Sequence, residues 1–192
     1  MRAQRGASAR PISGLDLTRR FRRSQRGATA VEFALILGPF LFALLATLEI
    51  AMVFWKTQVL ETAVANASRQ IYTGQFQTNP DNKNKTSAQL LANFKGKLCE
   101  NVTALFNCQA DISVDVRDVS AFAGATPPDP VSNGVFNASG FSYAPIGPGA
   151  IGIVTVATEY KSFFPSLSGN RLKNGNRLIM ATAVFRSEPY GN

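Results

Sequence analysis

Residues 27–55 read GATAVEFALILGPFLFALLATLEIAMVFW, and the medium that solvates this stretch decides the fold. Sixteen residues from Phe33 to Leu48 carry no charge, and the twenty-eight from Ala28 to Trp55 include only Glu32 and Glu49. A helix crossing a hydrocarbon layer of ~30 Å needs about 20 residues, each rising about 1.5 Å. A soluble helix would have to hide phenylalanines at 33, 40, 42 and 54, with leucines between them, around its whole circumference. A secretory signal peptide ends in a small-residue cleavage site after its apolar core, whereas Ala28-Thr29-Ala30 precedes the core here. The stretch is therefore read as a membrane anchor. Pro39 removes one helical amide, which a membrane helix accommodates as a kink rather than a break.

The charge is arranged around that anchor. The formal net charge is +8, yet residues 1–26 hold eight arginines against the single acid Asp16, and the remainder is close to neutral. Nucleic-acid binding would need a basic face on the folded part. A cluster of arginines before an apolar helix is a positive-inside signal, with the N-terminus cytoplasmic and everything beyond Lys56 across the membrane. An organellar transit peptide shares the arginine-rich composition, but it is not normally followed at once by an apolar span. Counted from Arg26 at about 1.5 Å per residue, Glu32 lies about 9 Å into the layer and Glu49 about 34 Å, at the far surface beside Trp55 and Lys56. Glu49 needs no special explanation there. Glu32 either snorkels to the headgroups or pairs with a cation that exists only after the chain is cut.

Histidine is absent, which removes the commonest general base and imidazole ligand. Two cysteines, Cys99 and Cys108, make a poor zinc site by themselves. They read as a disulfide closing a short loop in an oxidising compartment, or else as two buried unpaired thiols. Asp111, Asp115, Asp118 and Asp129 form no convergent catalytic set, and the first three flank or alternate along a strand as its solvated side. No enzyme, cofactor, metal or small-molecule substrate is expected.

Past Lys56 the helix becomes amphipathic, with Val59, Ala63, Ala67 and Ile71 at every fourth position and Leu60 and Val64 beside them. Gly74 is its stop, so one helix runs from about Ala28 to Thr73. After the polar stretch Gln75 to Lys85, Thr86-Ser87-Ala88-Gln89 has the form of a capping box, with Leu90, Leu91, Phe94 and Leu98 at helical spacing. The period then changes to two at Ile112, Val114 and Val116, and Ile151–Tyr160 and Leu178–Arg186 are β-branched strand candidates. Residues 120–150 hold five of the ten prolines and no periodicity, and read as a loop that is mobile or binds a partner. The fold class is α+β, an anchor helix with one small outer domain.

Two stretches carry a resemblance. Arg26-Gly27 followed by Ala28-Thr29-Ala30-Val31-Glu32-Phe33 is similar to a prepilin cleavage site of glycine, four residues, glutamate and an aromatic. Phe185-Arg186-Ser187-Glu188-Pro189-Tyr190 is similar to the Phe-Arg-x-Glu-Pro ending of the TadE-like family, minor pseudopilins of bacterial tight-adherence (Flp) pili. The resemblance covers 26–73 and 150–190 and does not extend to 75–150. It implies a pilin-like arrangement, with a leader over 1–27, a transmembrane helix over 28–56 and a periplasmic α+β domain over 57–192. It also implies cleavage between Gly27 and Ala28 by a prepilin peptidase, and a Glu32 carboxylate that takes the Ala28 amine of another subunit. The implied partners are that peptidase, other pilin or pseudopilin subunits, the assembly machinery and the bilayer. The implied place is the bacterial inner membrane, single-pass, with incorporation into an adhesive pilus. The competing reading is an uncleaved, signal-anchored periplasmic adhesion or scaffold protein of the TadG-like sort. The ending also has a local explanation, in which Pro189 stops a strand and Arg186 pairs with Glu188.

The topology is directly testable. A cysteine introduced at Ser132 is expected to react with a membrane-impermeant thiol reagent in intact spheroplasts. Reaction only after lysis would contradict this orientation.

Overall fold

A computed structural model describes residues 25–100, 102, 105–165 and 172–190; most of the arginine-rich N-terminal stretch, up to Ser24, and residues 166–171 lie outside them. The first helix, α1 (Gln25–Tyr72), is 48 residues long and continues through Pro39. Two compact units divide the chain, one up to Thr47 and one from Leu48. In the first unit the described residues are the apolar start of α1, with Leu35 and Ile36 each 70 % exposed. This helix is long and apolar enough to cross a membrane.

The second unit begins with the remainder of α1. Its predicted stripe is buried except at Val59, which is half-buried: Leu60, Ala63, Val64, Ala67 and Ile71 are each no more than 2 % exposed. The helix stops where glycine permits a left-handed turn. Gly74 has φ +75° and donates its N–H to Ile71 O at 3.0 Å, while Thr73 N–H reaches Arg69 O at 3.1 Å.

The next segment, read as a polar spacer, instead forms a short helix α2 (Gln75–Thr78) and a 3-10 turn (Pro80–Asn82). Phe76 supplies the reason. It is buried edge-on against Phe94 at 5.6 Å, and its carbonyl accepts from the buried Asn82 amide at 2.7 Å. Helix α3 (Ser87–Cys99) starts at the expected capping box, with Thr86 N–H donating to Gln89 Oε1 at 3.1 Å and Gln89 N–H to Thr86 Oγ1 at 3.4 Å. Phe94 and Leu98 are fully buried on its inner side. A single turn, α4 (Cys108–Asp111), leads into the sheet.

Strands β1 (Ile112–Val119), β4 (Ile151–Tyr160) and β5 (Arg177–Arg186) make an antiparallel sheet in the order β1-β4-β5. Val114 faces Val156 across one ladder and Ala181 faces it across the other. These residues share a core with the α1 stripe, Phe94 and Leu98. The protein is thus α+β, a long N-terminal helix packed on a small antiparallel sheet. Strand β4 is central and buried from Gly152 to Thr158, which explains its run of apolar and β-branched residues.

Residues 120–150 depart from the expectation of an unstructured loop. A two-residue hairpin pairs β2 (Val131–Ser132) with β3 (Val135–Phe136). Its turn, Asn133-Gly134, has positive φ at both positions, as such a hairpin requires. Further on, the chain runs beside β1: Val116 N–H donates to Ser142 O and Ala144 N–H to Val116 O, each at 2.8 Å. Tyr143 joins the rings of Phe76 and Phe94, and burial pushes its hydroxyl pKa well above the usual tyrosine range. Ile146 lies over Gly152, where a Cβ would approach its Cδ1 to 2.2 Å. Widely spaced large residues close the core here, so no period announces them.

The same segment corrects the reading of β1's acids. Asp111 and Asp118 are exposed, but Asp115 is completely buried. It accepts from Arg117 Nε at 2.6 Å and from Ser142 N–H at 3.0 Å, because the chain near Ser142 closes over the strand's edge.

Gly74 also lies beneath the C-terminal segment, and a Cβ there would come within 2.3 Å of the Tyr190 ring. Gly74→Ala is therefore expected to lower stability by at least ~1 kcal/mol in thermal unfolding, through positive φ and displacement of that ring. Gly96→Ala, inside α3 with nothing within 4 Å of its Cβ, is expected to raise stability by roughly 0.5–1 kcal/mol. Equal effects of the two would contradict this account.

Candidate processing and membrane-border sites

Gly27 and Ala28 lie in the first turn of α1, in helical conformation. The opening amides of a helix have no partner within it, so this turn is the cheapest to unwind. Composition weakens it further. The first turn holds no acid, Arg26 lies at the positive end of the helix dipole, and Gly27 is a poor helix former. An extended conformation at the Gly27–Ala28 bond is thus reached by fraying one turn, without disturbing the apolar helix beyond it.

Glu32 lies four residues after Ala28, on the same face one turn on. It is exposed, as are its neighbours Val31 and Phe33. Among the described residues no side chain hydrogen-bonds or ion-pairs with it. A carboxylate on an apolar helix is unfavourable in hydrocarbon unless a cation meets it.

Glu49 is the opposite case, and the sequence reading gave it no role. Its carboxylate binds the loop that follows β4. Phe163 N–H donates to Oε1 at 3.0 Å, Phe164 N–H donates to Oε2 at 2.9 Å, and the Ser162 hydroxyl donates to Oε1. Burial, and secondarily the Glu49 charge, push the neighbouring Tyr160 hydroxyl up. Lys56, two turns along α1, holds its Nζ 4.9 Å from the Tyr160 ring and 5.1 Å from the Phe106 ring. The missing signal is intelligible: two of the donors are main-chain amides, which have no sequence signature.

The two cysteines form a disulfide. Cys99 ends α3 and Cys108 opens α4, with their Cα atoms 5.6 Å apart, and both are buried. The bridge holds the end of α3 against the start of the sheet.

The C-terminal motif also takes a definite place. Strand β5 ends at Arg186, which donates Nε–H to Gly149 O at 3.0 Å rather than pairing with Glu188. Ser187 N–H reaches Ala150 O at 2.8 Å and Glu188 N–H reaches Tyr72 O at 2.7 Å. Tyr190 donates its hydroxyl to Ile146 O. Glu188 thus caps the end of α1 with a main-chain bond, while Arg186, Ser187 and Tyr190 tie the C-terminal segment to residues 146–150. Among the described residues, no group of three or more His, Cys, Asp and Glu side chains could hold a metal ion.

The family model described as TadE-like protein matches residues 27–69. That is the family the sequence resembles, and the match begins at Gly27 and ends within the buried stripe of α1. No curated protein and no solved structure matches the chain. A TadE-like segment thus coincides with a helix fit to span a membrane, as in a single-pass membrane protein.

The disulfide gives a quantitative expectation. Alkylation before and after reduction should differ by two thiols, and Cys99→Ser with Cys108→Ser should lower stability by about 2–3 kcal/mol. Two free thiols in protein freshly extracted under non-reducing conditions would contradict it.

Proposed function

We propose that this chain is a structural pseudopilin, a membrane-anchored subunit needed to assemble a tight-adherence pilus. In this reading it inserts into the bacterial inner membrane with its N-terminus cytoplasmic and residues beyond Lys56 in the periplasm. A prepilin peptidase removes the leader after Gly27. The processed helix then joins other pilin or pseudopilin subunits and the assembly machinery, with no catalytic or cofactor role of its own.

One observation carries the reading. Glu32 stands exposed one turn from Ala28, at the start of the TadE-like segment, with no side-chain partner among the described residues. Cleavage removes eight arginines and creates an ammonium at Ala28. That cation lies at the positive end of the helix dipole, where an anion is favoured. A carboxylate within the hydrocarbon layer is unfavourable by about 2.5–3.5 kcal/mol on insertion scales. When helices pack side by side, the amine of one and the acid of another offset both costs. Cutting and assembly are then chemically linked, because the Ala28 ammonium exists only after the cut.

Two variants separate the roles. Gly27→Leu is expected to leave a full-length precursor in the membrane, because a branched side chain obstructs close approach of the backbone to a protease. Glu32→Ala is expected to insert and to be cut, yet to be lost from sheared pili. Precursor mass and pilus recovery measure both. Normal recovery of Glu32→Ala would contradict the intersubunit pair.

A further inference from the structure

The loop held by Glu49 has a property that the anchor and assembly roles leave unused. Its central residue, Phe163, is 82 % exposed, the most exposed large apolar side chain among the described residues. Exposure of that degree normally reflects mobility, but the Phe163 and Phe164 amides are both bound to one carboxylate. The loop is therefore fixed to α1 at a defined level.

That level is apolar on the free faces of the helix. Leu48 and Ile50 flank Glu49, and Phe54 and Trp55 follow; all four are more than half exposed. The first residue of α1 that the domain buries is Val53, one turn beyond Glu49. Phe163 thus stands beside the Glu49 level of α1, where water solvates the exposed side chains poorly. Trp55 and Lys56, an aromatic and a cation, are the residue types that mark a membrane border, and Glu49 precedes them by six and seven positions, about two helical turns. Lys161, exposed in the same loop, can meet lipid phosphates.

We propose that residues 161–164 form a second membrane contact, with Phe163 inserted among the headgroups of the leaflet where α1 leaves the bilayer. Glu49 is its positioning residue. Two points on the domain, helix and loop, then touch the bilayer, which fixes the domain's rotation about α1 as well as its height. A single helix alone would leave that rotation free. The occupant is lipid rather than another protein because the exposed apolar Leu48, Ile50 and Phe163 are accompanied by Trp55, Lys56 and Lys161, the aromatic and cationic types that collect at a membrane border.

This inference rests on α1 spanning the membrane, and the experiment tests the two separately. The full chain is reconstituted in vesicles of phosphatidylcholine and phosphatidylglycerol, with the native cysteines left in their disulfide. An environment-sensitive fluorophore is attached at Phe163→Cys, at Leu45→Cys or at Ser132→Cys, and quenched by lipids carrying a nitroxide at shallow or deep positions. The probe at 45 should be quenched mainly by the deep nitroxide, the probe at 163 mainly by the shallow one, and the probe at 132 by neither. No quenching at 45 would overturn the membrane-spanning reading and this proposal with it. Quenching at 45 with none at 163 would overturn the loop contact alone, whether the 163 probe reports water or the dry surface of a neighbouring subunit. Glu49→Gln, which keeps the side chain's size, should abolish most of the shallow quenching at 163 and leave that at 45 unchanged. Undiminished quenching at 163 would refute the positioning role of Glu49.

Discussion

Helix α1 meets two solvents along one unbroken backbone, and the rest of the structure answers to that change. Up to Leu48 its apolar side chains face outward on all sides, which is stable only where the surroundings are themselves apolar. From Leu60 to Ile71 the apolar residues narrow to one stripe, and that stripe is dry. A half-apolar helix of this length cannot stand alone in water. The sheet face with Val114, Val156 and Ala181, the inner side of α3 and the ring of Tyr143 all belong to the one core that covers it.

The domain is attached to α1 by more than apolar contact. Near one end, Glu49 binds the loop after β4 through two main-chain amides and a hydroxyl. Near the other, Tyr72 O accepts from Glu188 N–H, and Gly74 makes room for Tyr190. Hydrophobic packing is non-directional and would tolerate sliding along the stripe. Directional bonds at both ends remove that freedom. The arrangement gives the resembling C-terminal motif a structural reason: Ser187, Glu188 and Tyr190 lock the last turn of α1.

What could be read from the residues was whatever repeated with a period or carried a local chemical signature. The i, i+4 stripe placed α1, the Thr86–Gln89 pair placed α3, and a ten-residue apolar, β-branched run placed β4 to the residue. The parts that escaped are held by main-chain donors or isolated large residues. Asp115 alternated like a solvated strand position, yet the chain near Ser142 covers it. Tyr143 and Ile146 sit in a stretch rich in proline and glycine where no period could reveal them, although Asn133-Gly134 was a local hairpin signal that went unused. Glu49 is legible as a border residue by depth, but its partners are a hydroxyl and two amides 113 to 115 positions away. At the processing site the residue types were legible and the helical start was not. A basic, acid-free, glycine-bearing first turn is helical here, in a form that is easily frayed.

The proposed cleavage turns these parts into a sequence of events: the first turn frays, the chain is cut after Gly27, and the new ammonium meets a Glu32 carboxylate. In the proposed reading the arginine-rich stretch holds the precursor's orientation, and its loss supplies an ammonium for Glu32. Everything in the assembly account depends on that cut being made in the wild-type protein. The most direct measurement is the intact mass and N-terminal sequence of wild-type protein extracted from membranes. The account predicts a chain that begins at Ala28, with all twenty-seven preceding residues removed. A chain that still begins at Met1 would contradict it and leave the uncut, signal-anchored reading in its place.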